Sequence, residues 1–509
     1  MKAETKLKEG RLLKETKSLC PECLKVVDAQ IYEHNGAVYM VKHCPQHGEY
    51  EDQYWSSYGM WLKALKFEHV GDGLLNPRTK RVKGCPFDCG ICNEHKSFTV
   101  LAIVDVTNRC NLRCPVCFAH AGATGYVYEP STEEVKRILD NFRLNEPAKP
   151  PGLQFSGGEP TVRDDLPELI EYADKIGFHH IEVNTNGIRI AQSLEYTKQL
   201  VDAGANAIYL QFDGLTDDIY VKTRGLPLLK YKMKAIENCR KLGFDAVVLV
   251  PTVIKGVNDH QVGDIVKFAA ENSDVIRCVN FQPVSLCGRI DKSKLNEMRI
   301  TIPEVIEKIE KETGGMVKAE DWYPVPFVVP IPRAIGALKN HRYGAEFTAH
   351  PHCGMATYIF IENGKVTPIT KKADVEKFMK VMEGVYELAK KGRRLRAKMK
   401  LLSSLRYVKG GLLRKLLWPI LKTGTYESLR SLHFKMVMLG MMHFMDLYNF
   451  DLERVQRCVI HYGIPDGRII PFCSMNSIHR ENVEKQFAMT WEEYERKMRE
   501  ARAKGLKHY

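Results

Sequence analysis

The chain has 509 residues, of which 44% are hydrophobic and 27% are charged, and its formal net charge is +13. At about 150 residues per domain this length predicts roughly three folded units, and the composition excludes a fibre or a globally disordered chain. The longest uncharged apolar stretches, at 322–332 and 436–445, are shorter than the ~20 residues of a membrane-spanning helix. The first residues are charged and show no secretory signal, so we expect a cytoplasmic protein with reduced thiols.

The first cysteines in the chain have the spacing of a mononuclear metal site. Cys20 and Cys23 form one CxxC pair, and Cys44 and His47 form a second pair with the same spacing. Two such pairs can supply the four ligands of one tetrahedrally coordinated metal ion. The sequence therefore predicts an N-terminal ribbon module at 1–75 that holds zinc or iron, with a structural role favoured over a redox role.

Two further groups of three cysteines have CxxxCxxC spacing, with which three thiolates can hold three corners of a cubane iron–sulfur cluster. The second group directly follows an apolar, β-branched run at 99–107, whereas the first follows basic sequence without a strand pattern. Only the second group has the position of an active-site loop at the mouth of a parallel barrel, and the first is assigned to an auxiliary cluster segment at 76–98. The groups are Cys85, Cys89 and Cys92, and Cys110, Cys114 and Cys117.

Six apolar runs with helical patterns between them predict a parallel barrel. Each run ends in polar or glycine-containing sequence, as expected for the reactive face of such a barrel. The runs lie at 100–106, 153–156, 180–185, 207–212, 246–253 and 278–282. The expected fold class is α/β: a partial (β/α)6 barrel at 99–290, preceded by the metal ribbon and followed by an auxiliary-cluster region that carries a basic amphipathic helical insertion.

Three C-terminal cysteines lie far apart in the sequence. Cys353, Cys458 and Cys473 have flanks rich in Pro, Gly and His, which is typical of loops that gather around a ligand. The sequence therefore predicts a second auxiliary cluster, shared between an extension at 291–380 and a final region at 448–509. The alternative is that the three are separate core cysteines.

A basic and apolar segment follows the C-terminal extension. Residues 388–426 contain twelve Lys or Arg and no acidic residue, with leucines at helical spacing among them. This pattern is typical of a helix in a membrane interface, so helices that contact lipid are expected at 381–447. The alternatives are a solvated basic helix packed on the barrel and a nucleic-acid patch; few aromatic residues are present for base stacking, so nucleic acid is disfavoured.

The second cysteine triplet and a GGEP motif about forty residues later resemble the radical S-adenosylmethionine (radical SAM) enzymes. The resemblance implies a [4Fe-4S] cluster with one open iron that chelates S-adenosylmethionine. It also implies that the GGEP strand end holds the amino group of the cofactor and that polar residues at later strand ends bind its ribose or carboxylate. The motif residues are Phe118 beside the triplet, and Gly157, Gly158, Glu159 and Pro160. The later residues are Asn184, Asn186, Gln211, Asp213 and Arg224, for each of which loop capping is the alternative.

Further motifs at 84–95, 105–110, 281–285, 443–446 and 457–473 resemble the archaeal radical SAM group that contains the tetraether lipid synthases. Members of this group are also described as 7,8-dihydro-6-hydroxymethylpterin methyltransferases. The resemblance implies an enzyme with one SAM-binding and two auxiliary [4Fe-4S] clusters, S-adenosylmethionine and one mononuclear Fe or Zn.

We expect this enzyme to join isoprenoid chain ends of archaeal diether phospholipids, because the basic segment would then give it access to the membrane. The expected partners are that phospholipid, the anionic inner face of the membrane, and an electron donor such as ferredoxin or flavodoxin. Two alternatives stay open: radical C-methylation of 7,8-dihydro-6-hydroxymethylpterin, and a metal-ribbon protein that binds nucleic acid.

Overall fold

The computed structural model describes residues 10–342, 344–362, 364–409 and 436–509. The chain opens with a four-stranded antiparallel sheet in which the strands pair in sequence order. Its strands are β1 (Arg11–Leu19), β2 (Val26–His34), β3 (Ala37–Cys44) and β4 (Gly48–Trp55). The helix Tyr58–Leu65 follows and leads to the auxiliary segment.

All six predicted barrel strands are present and pair in parallel, in chain order. They are β5 (Leu101–Thr107), β6 (Gly152–Gly157), β7 (His180–Thr185), β8 (Ala207–Gln211), β9 (Val247–Val250) and β11 (Ile276–Pro283), with the short β10 (Thr252–Val253) beside β11. The helices between them are Thr132–Arg143, Leu166–Lys175, Ile188–Gln192, Leu194–Asp202, Asp217–Arg224, Leu229–Lys241 and Val262–Glu271. The predicted partial barrel is confirmed.

The barrel core lies between the strands and these helices. The first barrel helix starts at a capping box, in which Ser131 and Glu134 satisfy each other's backbone donors. Its buried face carries Ile138 and Leu139, which belong to the same apolar cluster as Val183 of β7. One face of each strand is thereby buried against helices, and the opposite face lines the barrel lumen.

The sheet continues beyond the predicted barrel at both edges, to 13 strands in total. At one edge β15 (Met436–Met442) runs parallel to β11 and is followed outward by the antiparallel β13 (Gly354–Glu362). Two short strands flank β13: β12 (Tyr323–Pro324) and β14 (Lys365–Pro368). At the other edge β16 (Ile460–Gly463) runs parallel to β5 and pairs with β17 (Ile469–Pro471). The later helices are Leu295–Met298, Ile302–Glu312, Pro330–Lys339, Ile369–Lys372, Val375–Lys390, Arg394–Ser403, Leu452–Gln456, Phe472–Ser474, Arg480–Gln486 and Trp491–Ala503.

The basic segment is only partly described. It begins at the end of the helix Val375–Lys390 and continues through the helix Arg394–Ser403, and the two helices pack together in one apolar cluster. Residues 410–435, which hold the rest of this segment, lie outside the described residues. The apolar stretch at 436–445 lies within the range predicted as lipid-contacting helices, but Met436–Met442 is a strand of the central sheet. Within the described residues, no helix has the length and apolar character needed to cross a membrane.

Candidate functional site

The ribbon brings its four predicted ligands into the geometry of a single ion. The ligand atoms of Cys20, Cys23, Cys44 and His47 all lie within 4.8 Å of one another. The Sγ atoms of Cys23 and Cys44 are 3.8 Å apart, and Nδ1 of His47 lies 3.4 and 3.5 Å from the Sγ atoms of Cys20 and Cys44. Tetrahedral zinc with Zn–S bonds of about 2.3 Å requires S–S separations of about 3.8 Å, so the donor set fits zinc. All four positions are filled by protein atoms.

The second cysteine triplet lies on the loop after β5, as predicted. The thiol of Cys110 interacts electrostatically with those of Cys114 and Cys117, and its burial raises its pKa. Arg289, which follows β11, holds this loop from outside. Its backbone N–H and C=O pair with those of Cys117 at 2.9 Å, and its Nε donates to the carbonyl of Cys114 at 2.6 Å. Nothing in the sequence around Arg289 predicts this contact.

Two glycines let the end of β6 approach this loop. Gly157 has φ +125°, and a Cβ there would lie 2.1 Å from the carbonyl oxygen of Thr107. A Cβ at Gly158 would lie 2.3 Å from the carbonyl oxygen of Arg109. The backbone N–H groups of Gly158 and Glu159 donate to these same carbonyls, at 2.7 and 2.9 Å. The GG pair therefore places the GGEP motif directly against the residue that precedes the first cysteine.

Glu159 ties the ends of β6 and β7 together. Its carboxylate accepts hydrogen bonds from the hydroxyl of Thr185 at 2.7 Å and from the backbone N–H of Asn186 at 2.7 Å, and also from Thr161. The side chain is 1% exposed, and burial raises its pKa despite these donors. Pro160 starts the short 3-10 helix Pro160–Val162 that follows. Both carboxylate oxygens of Glu159 are thus engaged by the protein.

Asp213 and Arg224 form a buried ion pair beside the cysteine loop. Nε and Nη2 of Arg224 donate to the two carboxylate oxygens of Asp213 at 2.6 and 2.8 Å. Nη1 of Arg224 donates to the carbonyl of Val116, between two of the cysteines, at 2.9 Å. Burial alone lowers the pKa of Arg224, but Asp213 and the thiols of Cys114 and Cys117 raise it above its usual value. The guanidinium, and not the carboxylate, is therefore the member of the pair that bonds to the loop.

Lys232 connects the other predicted polar residues and was missed by the sequence analysis. It is fully buried, and its Nζ donates to the carbonyl of Asn186 at 2.5 Å and to Oε1 of Gln211 at 2.8 Å. Burial lowers its pKa to about 7. Nδ2 of Asn184 donates to Ser156 at 3.2 Å, on the neighbouring strand. Gln211 donates in turn to Asp213, so Asn186, Gln211, Asp213 and Arg224 lie in one connected layer, whereas the side chain of Asn184 bonds to Ser156 alone among the described hydrogen bonds.

Below this layer the barrel lumen has a hydrogen-bonded polar wall. Nε2 of Gln154 donates to Glu182 at 2.6 Å, and the hydroxyl of Tyr209 accepts hydrogen bonds from Asn280 and Gln282. Burial raises the pKa of Tyr209, and the charge of Glu182 adds to this effect, so the phenol stays protonated. A molecule in the lumen therefore meets amide, carboxyl and phenol groups.

The first cysteine triplet lines a cavity. Cys85, Cys89 and Cys92 share this cavity with His95, which lies three residues after the last of them. Nε2 of His95 contacts the carbonyl oxygen of Cys458 at 2.8 Å. Burial raises the pKa of Cys85 to about 12, and the Cys92 thiol adds to the shift. The cavity thus offers three thiols and one imidazole.

The three C-terminal cysteines also converge. The thiol of Cys473 interacts electrostatically with those of Cys458 and Cys353, although the three come from different elements of the fold. Phe472, beside Cys473, packs against Phe118 with ring centres 5.9 Å apart. The C-terminal cysteines therefore lie near the loop after β5 and are not scattered through the core.

Comparison with known proteins identifies similar sequences for most of the chain. A family model described as "Radical SAM superfamily" matches residues 104–269, and one described as "HMPTM N-terminal zinc ribbon domain" matches residues 12–56. The 7,8-dihydro-6-hydroxymethylpterin dimethyltransferase of Methanocaldococcus jannaschii is 48% identical over 495 residues, which cover 95% of this chain and 97% of the relative. The GTP 3',8-cyclase of Clostridium acetobutylicum is 28% identical over 42% of this chain and 68% of the relative. The crystal structure of Streptococcus suis SuiB bound to S-adenosylmethionine is 15% identical, with a TM-score of 0.33 over 43% of this chain and 48% of that chain.

These findings correct the main prediction of function. The M. jannaschii relative, similar over nearly the whole chain, is described as a pterin dimethyltransferase, so the prediction of carbon–carbon bond formation between phospholipid chains is wrong. The predicted phospholipid partner is wrong for the same reason. The membrane contact predicted for 381–447 was argued together with the lipid substrate, and without that substrate it has no support. The alternative prediction of pterin methylation agrees with the relative.

Proposed function

This chain belongs to the radical SAM superfamily, and from that premise we propose that it transfers methyl groups to carbon atoms of 7,8-dihydro-6-hydroxymethylpterin. The observation that carries the proposal is the 48% identity, over 95% of the chain, to the M. jannaschii enzyme that is named for this reaction. A relative that matches nearly end to end has the same ribbon, barrel and C-terminal region in which to build its substrate site.

The polar lumen supports a substrate of this type. A pterin is a flat heterocycle whose edges carry hydrogen-bond donors and acceptors. The lumen offers matching groups in Glu182, Tyr209 and Asn280, and the thioether of Met442 lies 3.5 Å from Nδ2 of Asn280. These groups hydrogen-bond to one another, and a pterin can bind to their remaining donor and acceptor positions, which a saturated hydrocarbon cannot do.

The loop after β5 fits a [4Fe-4S] cluster that binds S-adenosylmethionine. Its three thiols, Cys110, Cys114 and Cys117, are partly buried, and the guanidinium of Arg224, held in place by Asp213, lies beside them. When bound, the cluster supplies the electron that cleaves S-adenosylmethionine. The ligand set leaves one position open, as a catalytic metal site requires.

The residues around this loop orient the cofactor and exclude water. Glu159 fixes the ends of β6 and β7, so that backbone groups of the GGEP turn face the loop. Lys232 holds the carbonyl of Asn186 and the amide of Gln211 in one orientation. Because the protein already holds these hydrogen-bonding groups in place, binding of the cofactor requires little rearrangement of the site.

The other metal sites of the chain have different roles in this proposal. The cavity lined by Cys85, Cys89 and Cys92 binds an auxiliary iron–sulfur cluster, and His95 offers a nitrogen ligand for it. The ribbon holds zinc in a closed, structural site. An external one-electron donor such as ferredoxin or flavodoxin reduces the clusters.

The test is an anaerobic assay of the full chain with reconstituted clusters, a reductant and S-adenosylmethionine that carries a deuterated methyl group. With 7,8-dihydro-6-hydroxymethylpterin we expect products heavier by one and then two methyl groups, together with 5'-deoxyadenosine. The mass of the added groups shows whether S-adenosylmethionine is the methyl source.

Two variants serve as controls. Cys114→Ala removes a cluster ligand and should form neither product, whereas Cys239→Ala changes a core cysteine away from the site and should form both. If 5'-deoxyadenosine accumulates but the pterin mass is unchanged, the proposed substrate is wrong and the assignment of radical chemistry is retained.

A further inference from the structure

A buried carboxylate contacts the start of the loop that carries the second cysteine triplet, residues 108–118, which we call the radical loop. Glu129 is 1% exposed. Its carboxylate accepts hydrogen bonds from Nε and Nη2 of Arg109 at 2.6 and 2.9 Å, and a further one from the hydroxyl of Thr107. Glu129 therefore holds the last residue of β5 and the residue directly before the first cysteine.

The same two residues receive the GGEP turn. The carbonyl of Thr107 accepts the backbone N–H of Gly158 at 2.7 Å, and the carbonyl of Arg109 accepts that of Glu159 at 2.9 Å. Glu129 fixes the side chains of Thr107 and Arg109, whose backbone carbonyls are bonded to the turn. The separation between the cysteines and the turn therefore depends on where the carboxylate of Glu129 lies.

Two residues that follow the helix Trp491–Ala503 hold Glu129 in turn. Burial on its own would raise the pKa of Glu129, but hydrogen bonds from His508 and Arg109 lower it to about 2, so the carboxylate is ionised. Nε2 of His508 lies 2.7 Å from Oε1 of Glu129, and since an ionised carboxylate only accepts, the imidazole donates. The hydroxyl of Tyr509 donates to the backbone carbonyl of Glu129. Both the side chain and the backbone of Glu129 are thus anchored.

Further contacts join this part of the chain to the end of β5. The guanidinium of Arg109 lies 4.8 Å from the ring centre of Tyr494, in the helix that precedes His508. Nη1 of Arg163 donates to the carbonyl of Val106 at 2.9 Å, and its Nη2 lies 3.2 Å from Nδ1 of His508. The imidazole, which is 4% exposed as part of its residue, is therefore fixed on two sides.

The value of this arrangement lies in geometry more than in stability. A buried ion pair gains little net stability, because the loss of hydration of its charges offsets much of their attraction. Its hydrogen bonds nevertheless fix the distance and the direction between the groups that they join. In the proposed function, S-adenosylmethionine contacts both the radical loop and the GGEP turn. An error of about 1 Å between the two would cost about 100-fold in rate.

We propose that Glu129 is a positioning residue for S-adenosylmethionine, which sets the separation between the radical loop and the GGEP turn, and that His508 holds its carboxylate in place. The proposal rests on the part of the proposed function that assigns S-adenosylmethionine to the radical loop, and it is independent of the pterin.

The first test titrates the reduced, cluster-reconstituted full chain with S-adenosylmethionine and follows the electron paramagnetic resonance spectrum, with no pterin present. Glu129→Gln keeps the shape of the side chain but replaces one acceptor oxygen by an amide donor, which cannot pair with Arg109 and His508 together. We expect the S-adenosylmethionine concentration at half of the spectral change to rise by about tenfold or more. The rate of 5'-deoxyadenosine formation at saturation should also fall, while the iron content stays that of the natural sequence.

Glu346→Gln is the matched control. Glu346 is also a buried carboxylate, and it accepts hydrogen bonds from Arg333 and Arg342 at 3.0 and 3.2 Å. In the described part of the chain neither arginine bonds to the radical loop, so this variant should bind S-adenosylmethionine as the natural sequence does. The same binding and cleavage in Glu129→Gln would overturn the proposal. If the natural sequence itself gave no spectral change, the proposed function would be wrong together with this proposal.

The second test changes only the residue that holds Glu129. His508→Gln retains an N–H donor near the position of Nε2, whereas His508→Leu has a similar volume and no donor. We expect His508→Leu to need about tenfold more S-adenosylmethionine for half of the spectral change, and His508→Gln to stay within about threefold of the natural sequence.

Zinc bound to the ribbon and the thermal unfolding curve check that each variant is folded. A contact that only stabilised the fold would change the unfolding curve and leave the dependence on S-adenosylmethionine as it is. An equal dependence on S-adenosylmethionine in His508→Gln and His508→Leu would therefore exclude the role of the imidazole donor.

Discussion

The ribbon site and the radical loop both use closely spaced cysteines, but they differ in what surrounds the thiols. In the ribbon, four protein ligands lie at the separations of one tetrahedral ion, and no position is open. In the radical loop, three thiols lie beside Arg224 and a layer of polar strand ends that includes Asn186 and Gln211. A structural metal site and a reactive one therefore differ in the number of protein ligands and in the polarity of the residues around them.

The largest expected effect is the loss of a ligand from the open site. Cys114→Ala leaves two thiols in the radical loop, so we expect no 5'-deoxyadenosine above the background without S-adenosylmethionine. Zinc in the ribbon should stay at one ion per chain, because the two sites share no ligand. The measurement is chromatography of 5'-deoxyadenosine with metal analysis of the same sample. Persistent 5'-deoxyadenosine formation would remove the loop from the catalytic site and so break the comparison.

A slightly smaller effect is expected from crowding the approach of β6 to the loop. In Gly158→Ala the new Cβ would lie 2.3 Å from the carbonyl oxygen of Arg109, so the backbone must shift by about 1 Å. A displacement of this size costs about 100-fold in rate where alignment matters. Gly59→Ala is the matched control, because the nearest atom to its Cβ would be 4.0 Å away. Equal rates of 5'-deoxyadenosine formation in the two variants would show that the GG pair does not position the cofactor.

The buried cation of the open site gives a pH-dependent effect on stability. Burial lowers the pKa of Lys232 from 10.5 to about 7. Because its pKa in the folded protein lies below that in the unfolded chain, Lys232 destabilises the fold fully below about pH 7, and this cost disappears as the pH rises towards 10.5. Lys232→Met removes the cost. The free energy of unfolding of the variant, relative to the natural sequence, should fall by a few kcal/mol from pH 7 to pH 10, at about 1.4 kcal/mol per pKa unit.

Anaerobic denaturant titration at several pH values measures this difference. The two hydrogen bonds that Lys232 donates are lost at every pH, so they shift the curve without changing its slope. Lys230→Met, at an exposed position of the same helix, is the control and should show a flat difference. A flat difference for Lys232→Met as well would mean that Lys232 is charged throughout and is stabilised by a ligand or by the cluster.

The sequence was sufficient for the barrel and for bringing together the four ribbon ligands. The six barrel strands are apolar runs with polar ends, all but β6 containing β-branched residues, and a pattern of that kind depends only on neighbouring residues. The ribbon ligands lie within 28 positions of one another, so their spacing alone defines the site. β15 was not expected as a strand, because methionine and glycine have weak strand preference and its position is set by β11 and β13.

The missed residues depend on contacts between distant elements. Arg289 reaches the cysteine loop only after the barrel has closed, and nothing in its local sequence marks it. Lys232 could have been found from the sequence, because it lies three residues before Ala235 and four before Ile236. This helical spacing places it on the buried face of its helix. The prediction of a lipid substrate was wrong because it relied on the basic segment. The polar wall of the lumen, which indicates a polar substrate, forms only when the strands are paired.

The smallest effect on catalysis is expected from opening the closed site. Cys23→Ser removes one ribbon ligand, so zinc content should fall from one ion per chain towards none. The ribbon is also held to the rest of the chain by Arg299, whose guanidinium lies 2.9 Å from Asp52 and 2.8 Å from Asp446. Thr16 adds a hydrogen bond of 2.9 Å to Asp451. Because these contacts do not need the metal, 5'-deoxyadenosine formation should fall by less than tenfold, which is about 1.4 kcal/mol in activation free energy.

The same assay distinguishes a structural ribbon from a redox one. If the ribbon bound iron and passed electrons to the barrel, Cys23→Ser would slow 5'-deoxyadenosine formation with a protein electron donor far more than with a small chemical reductant. A purely structural zinc site predicts the same small loss with both reductants. Since the donor set matches zinc geometry and every ligand position is filled by protein, we expect the two losses to be equal.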